Sequence, residues 1–305
     1  MKGTNLPIFK TEETARQFLE DTLWPGGPVC PHCEAEGAYK IEGRQESKSP
    51  ARPGLYKCKE CEKQFTVTVG TIFEDSHIPL SKWLLALHLM CASKKGVSAH
   101  QLHRMLGITY KSAWFMAHRI RHAMDEGPLA DMLRGIVEAD ETYVGGRRRG
   151  SNPGRGAPHK TAVFALVERK RGLVHSQPVE KVTAANLTEI MRQKVHRNTE
   201  IMTDDFGSYR GLNVRFKSHE TVNHGAGEYV RGNVHTNTVE GYFSLLKRGL
   251  NGIYHHVSKQ HLHRYLDEFN FRYNARRVSD TERTEMAIDG TKGKRLMYRD
   301  TKKKT

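Results

Sequence analysis

Long apolar stretches are missing from this 305-residue sequence. No run of about 18 apolar residues occurs, and the mean hydropathy is -0.66, so a membrane span is excluded. The N-terminal segment also lacks the apolar core of a secretory signal peptide. We therefore expect a cytoplasmic protein with no membrane partner.

Acidic residues are in deficit as well. Asp and Glu number 34 against 49 Lys and Arg, which gives a formal net charge of +15 and a pI near 9.6. Such an excess of positive charge attracts polyanions, and nucleic acid is the most common of these. The charge alone is also compatible with a soluble protein whose surface is merely basic.

Cysteine is scarce, but four of the five cysteines form two Cys-x-x-Cys pairs. Two such knuckles joined by a hairpin supply the four soft ligands of one structural Zn²⁺. Strands near 39–41, 56–58 and 64–69, with a hairpin loop at 43–54, complete a predicted zinc ribbon over 26–72. The alternative is a coincidence of two redox-type pairs. The fifth cysteine, Cys91, is predicted to lie in a core. The predicted zinc ligands are Cys30, Cys33, Cys58 and Cys61.

Residues 73–130 are predicted to form a helical module that resembles a helix-turn-helix. Ser98 can cap a helix that Gly107 ends, and a second helix follows over 109–122. An ordinary helical linker domain is the alternative. The side chains that we expect to contact DNA on the second helix are Tyr110, Lys111, Ser112 and Arg119.

The pattern changes to strands after about residue 134. Strands are predicted at 136–144, 161–168, 173–179 and 200–203, with a helix at 184–195 before the last of them. Three strands, a helix, a strand and further helices are the order of an α/β, ribonuclease H-like mixed sheet. We assign 131–280 to this catalytic domain, 1–25 to an N-terminal segment and 281–305 to a basic tail.

Two aspartates and one glutamate stand out by position. Asp140 lies within an apolar strand, where an unpartnered charge is costly, and Asp204 follows the buried strand Ile201–Thr203. At 100° per residue, Glu240 shares one helical stripe with Asn237, Ser244 and Lys247. The opposite face is predicted to pack on the sheet and consists of Val239, Tyr242, Leu246 and Leu250.

Three carboxylates suit phosphodiester chemistry on two Mg²⁺ or Mn²⁺ ions per active site, because hard cations prefer carboxylate and water oxygens. We expect Asp140, Asp204 and Glu240 to be these ligands and Lys247 to contact phosphate. Asp205 is an alternative to Asp204, and Asn237 is an alternative ligand or a substrate contact. Glu141 is predicted to face the other side of its strand.

A Gly- and Arg-rich loop follows the Asp140 strand, so its arginines should lie near the proposed metals. We expect these side chains to contact DNA phosphates without regard to base sequence. They are Arg147, Arg148, Arg149 and Arg155.

Together these motifs resemble the ISXO-type group of bacterial insertion-sequence transposases, which pair a zinc ribbon with a DDE-type domain. The likeness covers about residues 25–280 and rests on the two Cys pairs and four further stretches. These are Asp-Glu-Thr-Tyr-Val-Gly-Gly at 140–146, Thr203-Asp204 leading to Tyr209, His-Thr-Asn-Thr-Val-Glu at 235–240 running to Lys247, and 254–274.

The resemblance implies a ribonuclease H-like core that needs Mg²⁺, cleaves terminal inverted repeats and joins them to target DNA. It also implies a homodimer or larger assembly on DNA, and a bacterial, nucleoid-associated location. Two alternatives remain from the residues themselves: a nuclease of the same fold without strand transfer, and a catalytically inactive zinc-dependent DNA-binding regulator.

Overall fold

The computed structural model describes residues 7–42, 52–125, 131–145 and 160–302. The chain forms two compact units. The first unit contains Met1–Asp125 together with Val278–Lys304, and the second contains Glu126–Arg277. In the described ranges, no helix is both long and apolar enough to cross a membrane.

The first unit opens with helix α1 (Glu12–Leu23), which begins where the Thr11 side chain accepts a hydrogen bond from the Thr14 N–H. An antiparallel three-stranded sheet follows, with strands β1 (Ala38–Lys40), β2 (Tyr56–Cys58) and β3 (Gln64–Phe65) in that order. The predicted closing strand at 64–69 is thus only two residues long. Most of the predicted hairpin loop, 43–51, lies outside the described residues.

Three helices come next: α2 (Leu80–Ala92), α3 (Ala99–Leu106) and α4 (Tyr110–Ala123). The predicted ends of α3 are confirmed. The Ser98 side chain accepts the Gln101 N–H, and Gly107 closes the helix at φ 60°, a left-handed conformation that favours glycine. Cys91 is fully buried in α2, as predicted for a core residue.

The second unit is built on a five-stranded mixed sheet in the order β6-β5-β4-β7-β8. Its strands are β4 (Ile136–Val144), β5 (Thr161–Glu168), β6 (Val174–Val179), β7 (Glu200–Asp204) and β8 (Ser218–Val222), and helix α5 (Ala184–Lys194) precedes β7. The first three strands pair antiparallel, while β7 and β8 run parallel to β4. This is the ribonuclease H-like order, and β4 lies at its centre.

Strand β8 was not predicted from the sequence, and only one of its five residues, Val222, is buried. It is an edge strand, so it has no apolar alternation to reveal it. A short hairpin, β9 (Val230–Arg231) and β10 (Val234–His235), then leads into helix α6 (Asn237–Gly249). Helix α6 continues into a π-helical turn at Leu250–Tyr254, and helix α7 (Leu262–Asn274) follows.

Helix α6 packs on one face of the sheet, as its periodicity predicted. The four residues assigned to that face are buried in one cluster with Val163, Ala165 and Val167 of β5. The other face carries a second cluster that includes Val137 and Ala139 of β4 together with residues of α5. Alternation along a strand therefore turns the even-numbered residues of β4 toward α6.

The segment assigned to a basic tail begins instead with helix α8 (Asp280–Asp289), which belongs to the first unit. Ser279 and Glu282 form a capping box at its start. Ala287 and Ile288 are fully buried, and the Thr284 hydroxyl lies 3.2 Å from His88 Nδ1 of α2. These buried side chains keep the helix packed, although half of its ten residues are charged, which makes the apolar contribution hard to see in the sequence.

Six short 3-10 helices complete the described secondary structure: Pro7–Phe9, Gly207–Tyr209, Leu212–Val214, His224–Ala226, Lys259–His261 and Tyr298–Lys302.

Candidate active site and cysteine centre

A polar cavity of about 560 Å³ opens in the second unit where β4, β7 and α6 meet. Its wall combines acidic side chains with a smaller number of basic ones. The lining residues are Asp140, Glu141, Thr142, Tyr143, Lys160, Asp204, His224, Glu240, Phe243, Ser244 and Lys247. The three carboxylates predicted from the sequence therefore come from three separate elements and share one cavity.

The strand register brings the two aspartates together. Parallel β4 and β7 pair Ile136 with Glu200 and Glu138 with Met202. Continuing that register along both strands places Asp140 level with Asp204 and on the same face of the sheet. Asp204 is the last residue of β7, where its side chain is 7% exposed and accepts the Phe206 N–H at 3.1 Å.

The glutamate approaches from the first turn of α6. Glu240 Oε1 accepts a hydrogen bond from the Thr236 hydroxyl at 3.1 Å and lies 3.9 Å from His224 Nε2. The Glu240 side chain is 47% exposed, so it faces the open part of the cavity. Because Thr236 is buried, its hydroxyl gives this otherwise mobile carboxylate a fixed contact.

Negative charge is concentrated around Asp140. Burial, and after it the nearby charges of Glu141, Asp204 and Glu240, together raise the pKa of Asp140 from 3.8 to about 8. The Glu141 carboxylate also accepts the Tyr209 hydroxyl at 2.7 Å on the far side of the strand. A bound cation would relieve this repulsion, and three carboxylates around an open, polar cavity are the donors that a hard divalent cation takes.

The two alternative ligands lie away from this arrangement. Asp205 is exposed beyond the end of β7, and Asn237 is exposed at the first position of α6. Among the described residues, neither belongs to the cavity wall. Lys247 does line it, as predicted, and its side chain is exposed. The predicted loop arginines Arg147, Arg148, Arg149 and Arg155 lie outside the described residues.

The four paired cysteines converge in the first unit. The Sγ atoms of Cys30 and Cys61 are 3.6 Å apart, those of Cys33 and Cys58 are also 3.6 Å apart, and all four lie within 4.8 Å of one another. Four thiolates around one Zn²⁺ would have sulfur atoms roughly 3.8 Å apart, given a Zn–S distance of about 2.3 Å. The cluster therefore fits a tetrahedral zinc site.

The thiols of the cluster differ in pKa, since that of Cys33 is raised to about 12 while that of Cys58 is lowered. Backbone N–H groups of Cys61 and Glu60 favour the thiolate and lower the pKa of Cys58 to about 7. The cluster is shielded by an edge-to-face contact between Trp24 and Tyr56, whose ring centroids are 5.3 Å apart. The redox-pair alternative does not explain why all four sulfurs meet at one point.

Comparison with known proteins agrees with both sites. Residues 132–274 match the ISXO2-like transposase domain, and residues 10–64 match the transposase zinc-ribbon domain. The chain is 33% identical to a protein in transposable element ISH50 of Halobacterium salinarum, over 88% of this chain and 93% of that protein. The chain belongs to the ISXO2-like transposases. It is a DDE transposase, an enzyme that cleaves DNA and transfers DNA strands.

Three further similarities are partial. A transposase-like protein of Haemophilus influenzae is 31% identical over 33% of the chain and 80% of its own length. The HTLV-2 integrase catalytic core with magnesium is 15% identical over 47% of this chain and 84% of that one, with a TM-score of 0.27. The Mos1 mariner paired-end complex with Mn is 16% identical over 63% and 74%, with a TM-score of 0.23. These TM-scores are too low to support a fold assignment, which therefore rests on the strand order of the transposase itself and on its family.

Of the side chains in the helical module that are predicted to contact DNA, some are exposed and one is buried. Tyr110 is 44% exposed and stacks on His100 with ring centroids 4.3 Å apart, and Lys111 is exposed with its Nζ 4.8 Å above the Tyr298 ring. Ser112 is half-buried and its N–H bonds to the Thr109 side chain, which caps α4.

Arg119 does not fit its predicted contact with DNA. It is only 5% exposed, and its guanidinium donates to the Glu74 carbonyl at 2.6 Å. It also lies 5.4 Å from the Trp83 ring centroid. These contacts assign Arg119 to packing within the first unit, since the side chain has almost no exposed surface to offer a phosphate.

Three residues of the transposase site were missed by sequence reasoning. Lys160 and His224 line the cavity, and Glu138 is fully buried two residues before Asp140. Lys160 and His224 carry no local signal, because each lies outside the regular strands and helices used to place the carboxylates. Glu138 does have a local sequence signal, since it is a charged residue in the same apolar strand as Asp140.

Proposed function

We propose that this transposase cuts the terminal inverted repeats of an insertion sequence and joins the ends to target DNA, with Asp140, Asp204 and Glu240 as its catalytic carboxylates. One observation carries the proposal: these three side chains, from β4, β7 and α6, line a single cavity. The enzyme would act in the bacterial cytoplasm at the nucleoid, as a homodimer or larger assembly on DNA.

The three carboxylates would hold two Mg²⁺ or Mn²⁺ ions. Bound divalent cations stabilise charge on the attacking and leaving oxygens of an in-line phosphoryl displacement. The chain contributes a rigid frame for the ligands, because Asp140 and Asp204 lie on hydrogen-bonded neighbouring strands of the central sheet. Glu240 is carried by a helix whose apolar face is buried against that sheet.

Basic side chains on the same wall would bind the scissile strand. Lys160 and Lys247 line the cavity together with the carboxylates, so each can neutralise a phosphate that enters it. His224 is held beside Glu240, and its ring packs at a tilt against the Tyr229 ring with centroids 5.0 Å apart, so it can contact the same DNA strand. We assign further phosphate contacts to Asn237 and to Arg147, Arg148, Arg149 and Arg155.

The first unit would recognise the ends of the element. One Zn²⁺ held by Cys30, Cys33, Cys58 and Cys61 would fix the ribbon, and Tyr110, Lys111 and Ser112 of α4 would contact DNA. Tyr110 and Lys111 are exposed, which a DNA contact requires. Dividing recognition from catalysis in this way distinguishes the proposal from a nuclease that cuts without joining.

The test uses purified full-length protein, a labelled duplex that carries the inverted repeat next to its gene, a target plasmid and Mg²⁺. Wild type should nick the repeat and transfer the labelled end to the plasmid. Asp204→Asn should abolish both products, whereas Asp205→Asn, a change of the same kind on the exposed neighbour, should leave both intact.

Two outcomes would count against the proposal. Nicking without transfer at any target concentration would favour the nuclease. Unchanged products with Asp204→Asn would remove Asp204 from the site.

A further inference from the structure

Glu138 is a fully buried acid close to the metal-binding carboxylates, and the proposed chemistry does not use it. It lies on β4 two residues before Asp140, so both side chains point toward α6. Its Oε2 accepts the backbone N–H groups of Thr238 at 2.7 Å and Val239 at 2.9 Å, and its Oε1 accepts the Thr238 hydroxyl at 2.8 Å. Glu138 therefore occupies the N-terminus of α6.

This contact replaces the usual helix cap. The first N–H groups of a helix lack partners within the helix, and a side chain at the N-cap position normally accepts from them. Thr236 is at that position but forms no cap bond, because its hydroxyl is directed to Glu240 Oε1 instead. A carboxylate from the neighbouring strand takes over the cap, and its negative charge suits the positive end of the helix.

Arg169 extends the connection to the hairpin that precedes α6. Its Nε donates to Glu138 Oε1 at 2.6 Å, and its Nη atoms donate to the carbonyl oxygens of Asn233 at 2.7 Å and His235 at 2.8 Å. His235 Nδ1 lies 3.2 Å from the same Glu138 oxygen. The buried charge is therefore paired and fully hydrogen-bonded, which a desolvated carboxylate requires.

We propose that Glu138 is a positioning residue that fixes α6 against β4 and so sets the place of Glu240 relative to Asp140 and Asp204. The bonds join the two elements directly beside the ligands: Asp140 is two residues beyond Glu138, and Glu240 is two residues beyond Thr238. Metal sites tolerate only a few tenths of an ångström in ligand position. The inference rests on the proposed function of the three carboxylates.

The first test is the variant Glu138→Gln in the full-length protein, with Mn²⁺ binding measured by titration calorimetry without DNA. Gln keeps the size of the side chain but turns one acceptor oxygen into a donor that faces N–H groups. We expect Mn²⁺ affinity to fall about tenfold to 100-fold, the range for residues that orient metal ligands. The apparent Mn²⁺ requirement for end cleavage should rise in parallel.

Glu168→Gln is the matched control. Glu168 is also buried in the sheet, at 2% exposure, where it accepts Arg171 Nε at 2.7 Å and the Arg134 N–H at 2.9 Å. None of these partners belongs to α6. Glu168→Gln should lower thermal stability as any buried ion-pair loss does, yet change Mn²⁺ affinity less than about twofold.

A second pair of variants leaves the charge unchanged and guards against misfolding of Glu138→Gln. Thr238→Val removes the hydroxyl bond to Glu138 and should weaken Mn²⁺ binding about threefold to tenfold, while Thr238→Ser restores the hydroxyl and should bind as wild type.

The idea is overturned if Thr238→Val binds Mn²⁺ like wild type, or if Glu138→Gln weakens binding no more than Glu168→Gln. The variant Asp204→Asn distinguishes a failure of the Glu138 proposal from a failure of the proposed carboxylate site. If Asp204→Asn retains full Mn²⁺ binding, the proposed carboxylate site itself is wrong.

Discussion

The carboxylate cavity and the cysteine cluster are two different arrangements of candidate metal ligands within one chain. The cysteine ligands lie in two short knuckles, Cys30–Cys33 and Cys58–Cys61, and their four sulfurs converge within 4.8 Å. The carboxylates come from positions 140, 204 and 240 and surround an open cavity of about 560 Å³. The cysteine cluster would enclose a metal ion, and the carboxylate cavity would leave room for substrate beside one.

The difference lies in what supports each set of ligands. Among the described residues, the cluster around the cysteines has only three buried members, which are two of the cysteines and Phe65. The cavity instead lies on a sheet with apolar clusters on both faces. We infer that the metal of the ribbon contributes to folding, whereas the carboxylates of the cavity are maintained at the expense of stability.

The largest effect should come from Asp140→Asn. End cleavage should fall by about 10³-fold or more, corresponding to several kcal/mol of transition-state stabilisation. Without metal the folded protein should not be destabilised at neutral pH, because folding must keep Asp140 protonated there and Asn removes that cost. Cleavage rates and urea denaturation of the same preparation check both parts. A loss of activity that accompanies a loss of folded protein would contradict the contrast.

Removal of zinc should have the next largest effect, confined to the ribbon. Cys58→Ser should reduce zinc from about one ion per chain to a substoichiometric level and unfold the ribbon, which lowers affinity for the inverted repeat. Mn²⁺ binding at the carboxylates should be unchanged.

Cys91→Ser is the control for that experiment, because Cys91 is equally buried but lies in α2, outside the four-sulfur cluster. The Cys91→Ser variant should keep its zinc. Metal analysis measures the zinc content of both variants, and amide chemical shifts show whether the ribbon is folded. A folded ribbon without zinc would refute a structural role for the metal.

A smaller effect should appear in the pH dependence of stability without metal. The pKa of Asp140 is raised from 3.8 to about 8, mainly by burial. Between these values the folded protein holds a proton that the unfolded chain has lost, so the free energy of unfolding should fall as pH rises from about 4 to about 8, by a few kcal/mol in all.

Urea denaturation in chelator at several pH values measures this slope. Asp140→Asn should flatten it, and saturating Mn²⁺ should reverse the loss at high pH, because the metal binds the ionised carboxylates. An equal slope in wild type and Asp140→Asn would show that another group causes it.

Local spacing made the cysteine cluster predictable, and periodicity did the same for the elements that carry the carboxylates. Two Cys-x-x-Cys pairs identify a tetrahedral set without any tertiary information. The apolar face of α6 determined the side on which Glu240 lies, and the structure confirms that facing. Prediction failed where burial depends on distant partners: β8 has one buried residue, and half of the residues of α8 are charged.

Glu138 and Arg119 show the same limit of sequence-based prediction. For Arg119 the sequence predicts a DNA contact that burial prevents, and for Glu138 it does not reveal a structural role. A basic residue on a candidate recognition helix was expected to face DNA, yet the Glu74 carbonyl and the Trp83 ring hold Arg119 in the interior. An acid in an apolar strand was passed over, although it caps a helix about 100 positions later in the chain. Neither partner can be found from the sequence near these residues.

The smallest effects should come from single lysines, and they should separate the two regions. Lys247 lines the cavity, while Lys111 is exposed on α4. Each replacement by Ala should weaken binding to the inverted repeat by about 1 kcal/mol or less and lower the slope of log affinity against log salt by about one. Only Lys247→Ala should also slow cleavage of DNA that is already bound, because only Lys247 lies beside the carboxylates. Single-turnover cleavage at saturating protein separates the two quantities, and slowed cleavage by Lys111→Ala would mean that recognition and catalysis are not divided between the two units.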